Sequence, residues 1–182
     1  MENNGEFVNY INNTNNNSVY YLLSWYDKQH NKYYIIEFCY MKIFINDLLE
    51  NELYAELTQE QKLSHYSGFV YEINKDKSYL YSSSKNGFIN VWDLYSKKLI
   101  NNINVNGSIL CHMIQWDEQY AIVADYSSKS FKIIDIQSLS IVKDIGGGHN
   151  KEVKTIKKIK HPLYGDSLLS AGNDYTIKLW CI

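Results

Sequence analysis

The chain has 182 residues, of which 45% are hydrophobic and 15% aromatic, and its formal net charge at pH 7 is −2. This length predicts one domain with a hydrophobic core, and the near-neutral charge excludes a molecule-wide field for binding polyanions or membrane surfaces. Seventeen tyrosines and a single proline favour β structure over disorder. No apolar run approaches the roughly 18 residues of a membrane span. The N-terminus lacks the basic and apolar regions of a signal peptide, so we expect a cytoplasmic protein, with the nucleus as the alternative.

Three cysteines are spread along the chain, at Cys39, Cys111 and Cys181. Their number is odd, no two form a CxxC pair, and each falls in or beside an apolar run. This pattern argues against a disulfide framework and predicts buried free thiols.

The first 17 residues are dominated by asparagine and have too little apolar content to hold a fold. Residues 1–17 are therefore predicted to form a disordered tail, followed by one domain over residues 18–182. Phe7 to Ile11 interrupt the asparagine tract, and in an alternative interpretation they add a short strand to an open sheet edge.

The first unit of this domain begins with three apolar runs separated by polar turns, which predict three antiparallel strands. The runs lie at residues 19–25, 33–38 and 41–45. The next part is ambiguous, because Leu49, Leu53 and Leu57 follow the spacing of a helix face. It occupies the position of the fourth strand in later units, which favours a strand from Leu53 to Leu57 with a polar loop after it.

Two later segments contain hairpins of similar shape. Residues 79–93 turn at Asn86-Gly87, a strong short-range hairpin signal, and residues 120–135 repeat the shape. Further strands are predicted before and after these hairpins, at 99–103, 108–116, 139–145 and 153–159. The ends of corresponding strands recur at intervals of roughly 42 to 48 residues, which is the period of a propeller blade; they are Phe44, Trp92, Ile134 and Trp180.

The last segment, Leu168 to Trp180, reads as two short strands joined by a polar turn, and Gly148-His149 precedes it. A Gly-His pair followed by a hairpin ending in Trp resembles one blade of a WD-repeat β-propeller. The resemblance implies an all-β fold, a partial or open WD-repeat β-propeller with four-stranded antiparallel blades. These blades are expected at about 18–60, 65–105, 106–147 and 148–182, the last of them incomplete. Such an array is a fragment of a longer product, pairs with another propeller-forming chain, or closes by self-association.

The resemblance also implies a buried hydrogen-bonded set within a blade. The last unit matches that set fully, with His149, Ser170, Asp174 and Trp180. The second unit nearly repeats it, with His65, Ser82, Asn86 and Trp92, but Asn86 brings no charge. The third unit has Ile134 in place of Trp and Ser128 in the Asp position, and the first unit lacks the set. We therefore expect the first and third blades to rest on apolar packing alone.

Other chemistry is disfavoured by the local sequence. Ser170 lies in an apolar run without the Gly-x-Ser-x-Gly turn of a hydrolase, so no catalytic residue is predicted. His112 beside Cys111, and His161 before Pro162, have no further ligands at metal-binding spacing, so no metal site is predicted. Gly146 to Gly148 lack the Gly-Lys-Ser/Thr of a phosphate loop and are interpreted as a flexible link. No cofactor is expected.

The functional prediction is a non-enzymatic scaffold that binds other proteins within a multi-subunit assembly. Exposed aromatics in or beside hairpin turns are the candidate partner contacts; they are Phe88, Tyr126 and Tyr175. The alternative is binding of an anionic ligand, a nucleic acid or a phosphoinositide, through the basic segment 143–161. The candidate contacts there are Lys151, Lys154, Lys157, Lys158 and Lys160.

Overall fold

The computed structural model describes residues 18–58, 64–105 and 109–182, and these residues contain strands and turns but no helix. Accordingly, no helix in this part of the chain could cross a membrane. The predicted asparagine-rich tail and the proposed strand at Phe7–Ile11 lie outside the described residues.

Four antiparallel sheets follow one another along the chain, and each is ordered as in the sequence. The first contains β1 (Val19–Asp27), β2 (Lys32–Cys39), β3 (Ile43–Asp47) and β4 (Glu52–Leu57). The second contains β5 (His65–Asn74), β6 (Lys77–Ser84), β7 (Phe88–Asp93) and β8 (Lys98–Asn104). The third contains β9 (Leu110–Gln115), β10 (Tyr120–Asp125), β11 (Ser130–Asp135) and β12 (Ser140–Ile145). The fourth has β13 (Val153–His161), β14 (Gly165–Gly172) and β15 (Ile177–Cys181).

These sheets have the architecture of a β-propeller, and the all-β prediction is confirmed. The ambiguous segment after β3 forms the strand β4, because Ala55 and Leu57 bury their side chains while Glu52 and Glu56 stay outside. That alternation has the period of a strand and not that of a helix.

The core consists of three apolar clusters, each between two consecutive sheets. Trp25 and Ile36 of the first sheet pack against Leu80 and Trp92 of the second. Phe69 and Tyr81, whose rings stack at 5.0 Å, face the third sheet. Because both faces of the middle sheets are covered, β10 reads as a continuous buried run rather than an alternating one.

The innermost strands β1, β5, β9 and β13 pack side by side. Tyr21 of β1 also reaches across to His112 of β9, with 5.4 Å between ring centroids. The first and third sheets therefore touch near the centre of the propeller.

The molecule has two ends. The upper end carries the turns between the second and third strands of each sheet, at 40–42, 85–87, 126–129 and 173–176. The lower end carries the turns between the first and second strands and between the third and fourth strands, among them 28–31, 48–51 and 94–97.

Candidate interaction surface

The fourth sheet contains a chain of hydrogen bonds that links β14, β15 and the turn between them to the segment before β13. Trp180 Nε1 donates to Ser170 Oγ at 2.8 Å, and Ser170 Oγ lies 2.7 Å from His149 Nε2. His149 Nδ1 lies 2.9 Å from Asp174 Oδ2. Since a carboxylate only accepts, Nδ1 carries the proton, and Ser170 donates to Nε2. The side-chain polar groups of these four residues therefore all have hydrogen-bond partners.

The carboxylate of Asp174 ends this chain of donors. Burial alone would raise its pKa, but hydrogen bonds from the Thr176 hydroxyl, His149 and the backbone amide of Asn150 hold that pKa well below its usual range. Asp174 therefore stays ionised at neutral pH and fixes the tautomer of His149.

Two glycines make room for this arrangement. A Cβ at Gly148 would lie 1.7 Å from Cη2 of Trp180, and one at Gly172 would lie 2.8 Å from Nδ1 of His149. Gly148 is therefore a packing position beneath the indole, which corrects the interpretation of Gly146 to Gly148 as only a flexible link.

The second sheet carries a shorter version of the same chain. Trp92 Nε1 donates to Ser82 Oγ at 2.9 Å, and Ser82 Oγ lies 3.3 Å from His65 Nδ1. His65 Nε2 is buried without a hydrogen-bond partner, and Asn86 Oδ1 accepts from Ser84 Oγ instead. Burial lowers the pKa of His65 to about 4, because no carboxylate compensates a charge on this ring.

The expectation that the first and third blades rest on apolar packing alone is wrong. In the third sheet Lys132 is buried, and its Nζ lies 2.5 Å from Asp144 Oδ2 and 3.6 Å from Asp125 Oδ2. In the first sheet Asn46 donates to the buried carboxylate of Glu37 at 3.1 Å. The first and third sheets therefore also bury polar groups, but in combinations that differ from the His–Ser–Trp set. Ser128, in the Asp position, contacts Ser130 Oγ at 2.6 Å.

The residues weighed as catalytic or metal-binding candidates form hydrogen bonds within the fold instead. Ser170 is buried and has both a donor and an acceptor on its oxygen, so that oxygen does not face a substrate. His112 Nδ1 accepts from the amide of Ile156, and His161 Nδ1 accepts from that of Leu163. Within the described ranges no group of three or more His, Cys, Asp or Glu side chains is placed to hold a metal ion.

The three predicted partner contacts lie at the upper end, but they differ in exposure. Tyr175 is 95% exposed in the β14–β15 turn, with a left-handed backbone at φ 61°. Tyr126 and Phe88 are half-buried, the former directly after β10 and the latter at the start of β7. Tyr175 is therefore the most accessible of the three.

The structure pairs two of these tyrosines with two of the predicted anion contacts. Lys151 Nζ lies 5.6 Å from the ring centroid of Tyr175, and Lys154 Nζ lies 4.4 Å from that of Tyr126. Cation–π contacts of this kind hold a lysine over the ring while its remaining donors face water. We call these four residues the Tyr–Lys surface.

The basic segment does not form one patch. Lys151 and Lys154 lie at the upper end, whereas Lys158 and Lys160 lie toward the lower end of β13. At about 3.3 Å per residue the two pairs are separated by the length of several residues of strand. Lys158 is also occupied, because it forms an ion pair with Asp166 and lies over the ring of Trp116. Lys157 is exposed between them.

Sequence reasoning missed two tyrosines near this surface. Tyr20 of β1 and Tyr66 of β5 form an edge-to-face pair at 5.3 Å, where the innermost strands begin at the upper end. Tyr20 falls within the predicted strand at residues 19–25, whereas Tyr66 lies in no predicted strand. Their equivalent position, at the start of an innermost strand, was the available signal.

The four sheets and the His–Ser–Trp hydrogen bonds of the second and fourth sheets define a β-propeller built from repeats. Two comparisons with known proteins support this fold. The family model described as "WD domain, G-beta repeat" matches residues 140–181. The crystal structure of the WD40 β-propeller domain of Doa1 superposes with a TM-score of 0.67 and 18% identity, covering 81% of this chain and 46% of that one. The chain therefore has a β-propeller fold, and residues 140–181 are similar to a WD-repeat blade. It spans less than half of the Doa1 chain.

A second solved structure has a similar architecture. The crystal structure of the computationally designed Ika4 protein superposes with a TM-score of 0.65 and 15% identity, covering 92% of each chain. At these identities the similarity concerns the fold. A comparison with curated proteins finds no significant match.

A weaker match needs a structural test. The family model described as the Cytochrome D1 heme domain matches residues 29–158. A haem requires an axial ligand that opens onto an apolar slot. His65 and His149 are buried within their sheets, and the cavity that includes His30 is lined by carboxylates. These residues do not fit a haem.

Proposed function

We propose that this protein is a non-enzymatic scaffold that binds other proteins, with the Tyr–Lys surface as its docking site, within a multi-subunit assembly. WD-repeat propellers are typically interaction scaffolds, which is the fold-level part of the argument. The observation that carries the proposal is the pairing of Tyr175 with Lys151 and of Tyr126 with Lys154 at one end of the molecule.

The chemistry of these pairs suits a protein partner. Tyrosine offers a large apolar ring and a hydroxyl at a small cost in side-chain entropy, so it is favoured at interfaces. A lysine held over the ring adds a charge for a partner carboxylate without leaving a buried charge unpaired. Phe88, Tyr20 and Tyr66 extend the aromatic character of the same end.

Site-specific photo-crosslinking tests this proposal. A photoreactive phenylalanine analogue replaces Tyr175 in the full chain, and in the control it replaces Tyr164, a tyrosine in a lower-end turn with 59% exposure. We expect a defined protein adduct from position 175 in native extract, none from position 164, and loss of the adduct when Lys151 and Lys154 are changed to Glu. Equal labelling from both positions would contradict the proposal.

The second candidate function is binding of a nucleic acid or a phosphoinositide through the basic segment. Its support is the exposure of Lys151, Lys154 and Lys157. The separation of the lysines between the two ends favours the protein scaffold. Binding to single-stranded RNA and to phosphoinositide vesicles, measured between 50 and 200 mM salt, distinguishes this function from the protein scaffold. RNA binding that depends on about three phosphate contacts should weaken by roughly tenfold or more as the salt rises over that range.

A further inference from the structure

The fourth sheet is the last of the row, and no sheet of the described residues covers the face that it turns away from the third sheet. Side chains alternate along its strands, so that Leu168 and Trp180 face the third sheet while Leu169 and Leu179 face the other way. We call this outward side the free face of the fourth sheet; its apolar members include Leu169, Ile177 and Leu179. We propose that it binds the first sheet of a second copy of the chain, in a head-to-tail contact.

The first argument is that equivalent positions in the middle sheets pack against a following sheet. Ile89, Phe131 and Ile177 each lie three residues before the recurring strand-end residue of their sheet. Ile89 packs against the third sheet and Phe131 against the fourth, and each is 1% exposed. Ile177 belongs to no core cluster of the described residues and is 76% exposed. The fourth sheet therefore has the apolar positions of a sheet that is followed by another sheet.

The second argument is the composition of the free face. In repeat proteins the terminal repeats need polar outer faces to remain soluble. Here strand pairing places Leu169 opposite Leu179, and Ile177 lies beside them on the same face. Neighbouring exposed apolar side chains of this kind mark a contact surface.

The third argument is that the first sheet offers the matching face. Leu22 of β1 and Phe44 of β3 occupy the positions of Val70 and Trp92, which pack against the sheet before their own. Phe44 is buried, but Leu22 is 58% exposed and Tyr33, on the same face, is 52% exposed. The two outward faces are thus the two halves of the interface that joins consecutive sheets. Because Leu22 and Ile177 are both exposed, they do not cover each other within one chain.

The charges of the two faces favour this pairing over the pairing of two fourth sheets. Among the strand residues on the free face of the fourth sheet, Lys157 carries the only full charge, and it forms no ion pair with a described residue. The outward face of the first sheet carries Glu37, which lies opposite Leu22 and is largely buried, and Glu56, which is paired with Lys42. Two fourth sheets would bring their lysines together, whereas a head-to-tail contact brings a lysine to an acidic face.

Sedimentation equilibrium of the full chain tests the proposal. A head-to-tail contact leaves one free face at each end until a ring closes. We therefore expect species heavier than the 21.4 kDa chain, with an average mass that rises with concentration. The mass of a single chain at every concentration would overturn the proposal.

Two variants each alter one of the faces. Ile177→Glu with Leu179→Glu changes the fourth sheet, and Leu22→Lys with Tyr33→Lys changes the first sheet; all four side chains are exposed, so the fold should persist, which circular dichroism checks. Each variant alone should associate roughly tenfold more weakly or less than that, since apolar burial is lost. Leu163→Glu is the control, an exposed apolar residue in a lower-end turn outside both faces, and it should leave association unchanged.

A mixture of the two variants identifies which faces meet. It retains one intact pair of faces, so it should form a complex of one copy of each variant and grow no further, at concentrations where either variant alone is a single chain. Pairing of two fourth sheets would instead leave the Leu22→Lys, Tyr33→Lys variant able to associate by itself. That result, a mixture of single chains, or an effect of Leu163→Glu equal to that of the face variants would each overturn the proposal.

Discussion

The indole of Trp180 lies directly over the backbone of Gly148, so closely that a Cβ at residue 148 would stand 1.7 Å from its Cη2 atom. The same indole donates to Ser170 and packs edge-to-face on Phe131 of the third sheet at 4.9 Å. One ring thus joins the segment before β13, the middle of the fourth sheet and the neighbouring sheet. Its position depends on the absence of a side chain at residue 148.

Substitution of Gly148 by alanine is therefore expected to destabilise the protein by about 1–3 kcal/mol, since the indole must move or the backbone must shift. Gly146→Ala is the matched control, because a Cβ there meets nothing closer than 4.0 Å. Chemical denaturation of both variants checks the difference. Equal stability of the two variants would show that the indole tolerates displacement at no cost.

The hydroxyl of Ser170 is expected to matter more than that of another buried serine in the same strand. Ser170→Ala leaves Trp180 Nε1 without its acceptor and His149 Nε2 without its donor, which costs about 1–3 kcal/mol for each buried group. Ser167→Ala removes a single 3.2 Å bond to the nearby Gly165 carbonyl and should cost less. Urea unfolding of both variants, monitored by tryptophan fluorescence, measures the two losses. Similar losses of stability in the two variants would contradict the view that Ser170 links Trp180 and His149 in one hydrogen-bonded set.

Sequence reasoning worked where the signal is local. The hairpin at Asn86-Gly87, the period of the repeat and the offsets that place Ser170 and Asp174 before Trp180 all lie within one short segment, so the alternation and the turn residues specify the local structure. The ambiguous segment at Leu49 to Leu57 was resolved correctly by the repeat and not by its own spacing.

What sequence reasoning missed depends on contacts between distant segments. Lys132 looks like a solvated strand residue, and the approach of two carboxylates, Asp144 from β12 and Asp125 from β10, explains its burial. The lysines of β13 look like one patch because they are close in sequence, but an extended strand carries them to opposite ends of the molecule. The pairing of Lys97 with Tyr54 joins two sheets and has no local signal.

The stability of the protein is expected to fall between pH 6.5 and 4 because of His65. Burial lowers its pKa to about 4 in the folded state, against about 6.5 in the unfolded chain. The unfolded chain therefore binds a proton first as the pH falls. The stability contributed by the neutral ring is complete above pH 6.5 and is lost progressively down to pH 4.

A variant isolates this contribution. His65→Asn should lose part of the pH dependence, up to about 3 kcal/mol between pH 7 and 4. His112, whose pKa burial also lowers, contributes in the same direction and remains in both proteins. The difference between the two urea-unfolding profiles thus reports His65. Parallel profiles would show that the pKa of His65 is the same in the folded and unfolded states, which would contradict the prediction.

The last prediction concerns the buried lysine of the third sheet. Lys132 Nζ is the only cation that a described salt bridge places near Asp125, a fully buried carboxylate whose Oδ2 has no hydrogen-bond partner. Lys132→Met keeps most of the side-chain volume but leaves that charge uncompensated, so it should destabilise the protein by about 3–5 kcal/mol.

Two further variants separate charge from packing. Adding Asp125→Asn to Lys132→Met should recover part of the loss, because the asparagine carbonyl can still accept from the amides of Ser127 and Ser128 and no buried charge remains. Lys28→Met, which breaks the exposed ion pair with Glu72, should cost less than about 1 kcal/mol. A double variant no more stable than Lys132→Met alone would mean that Lys132 stabilises the sheet through its packing and its ion pair with Asp144, and not by compensating the charge of Asp125.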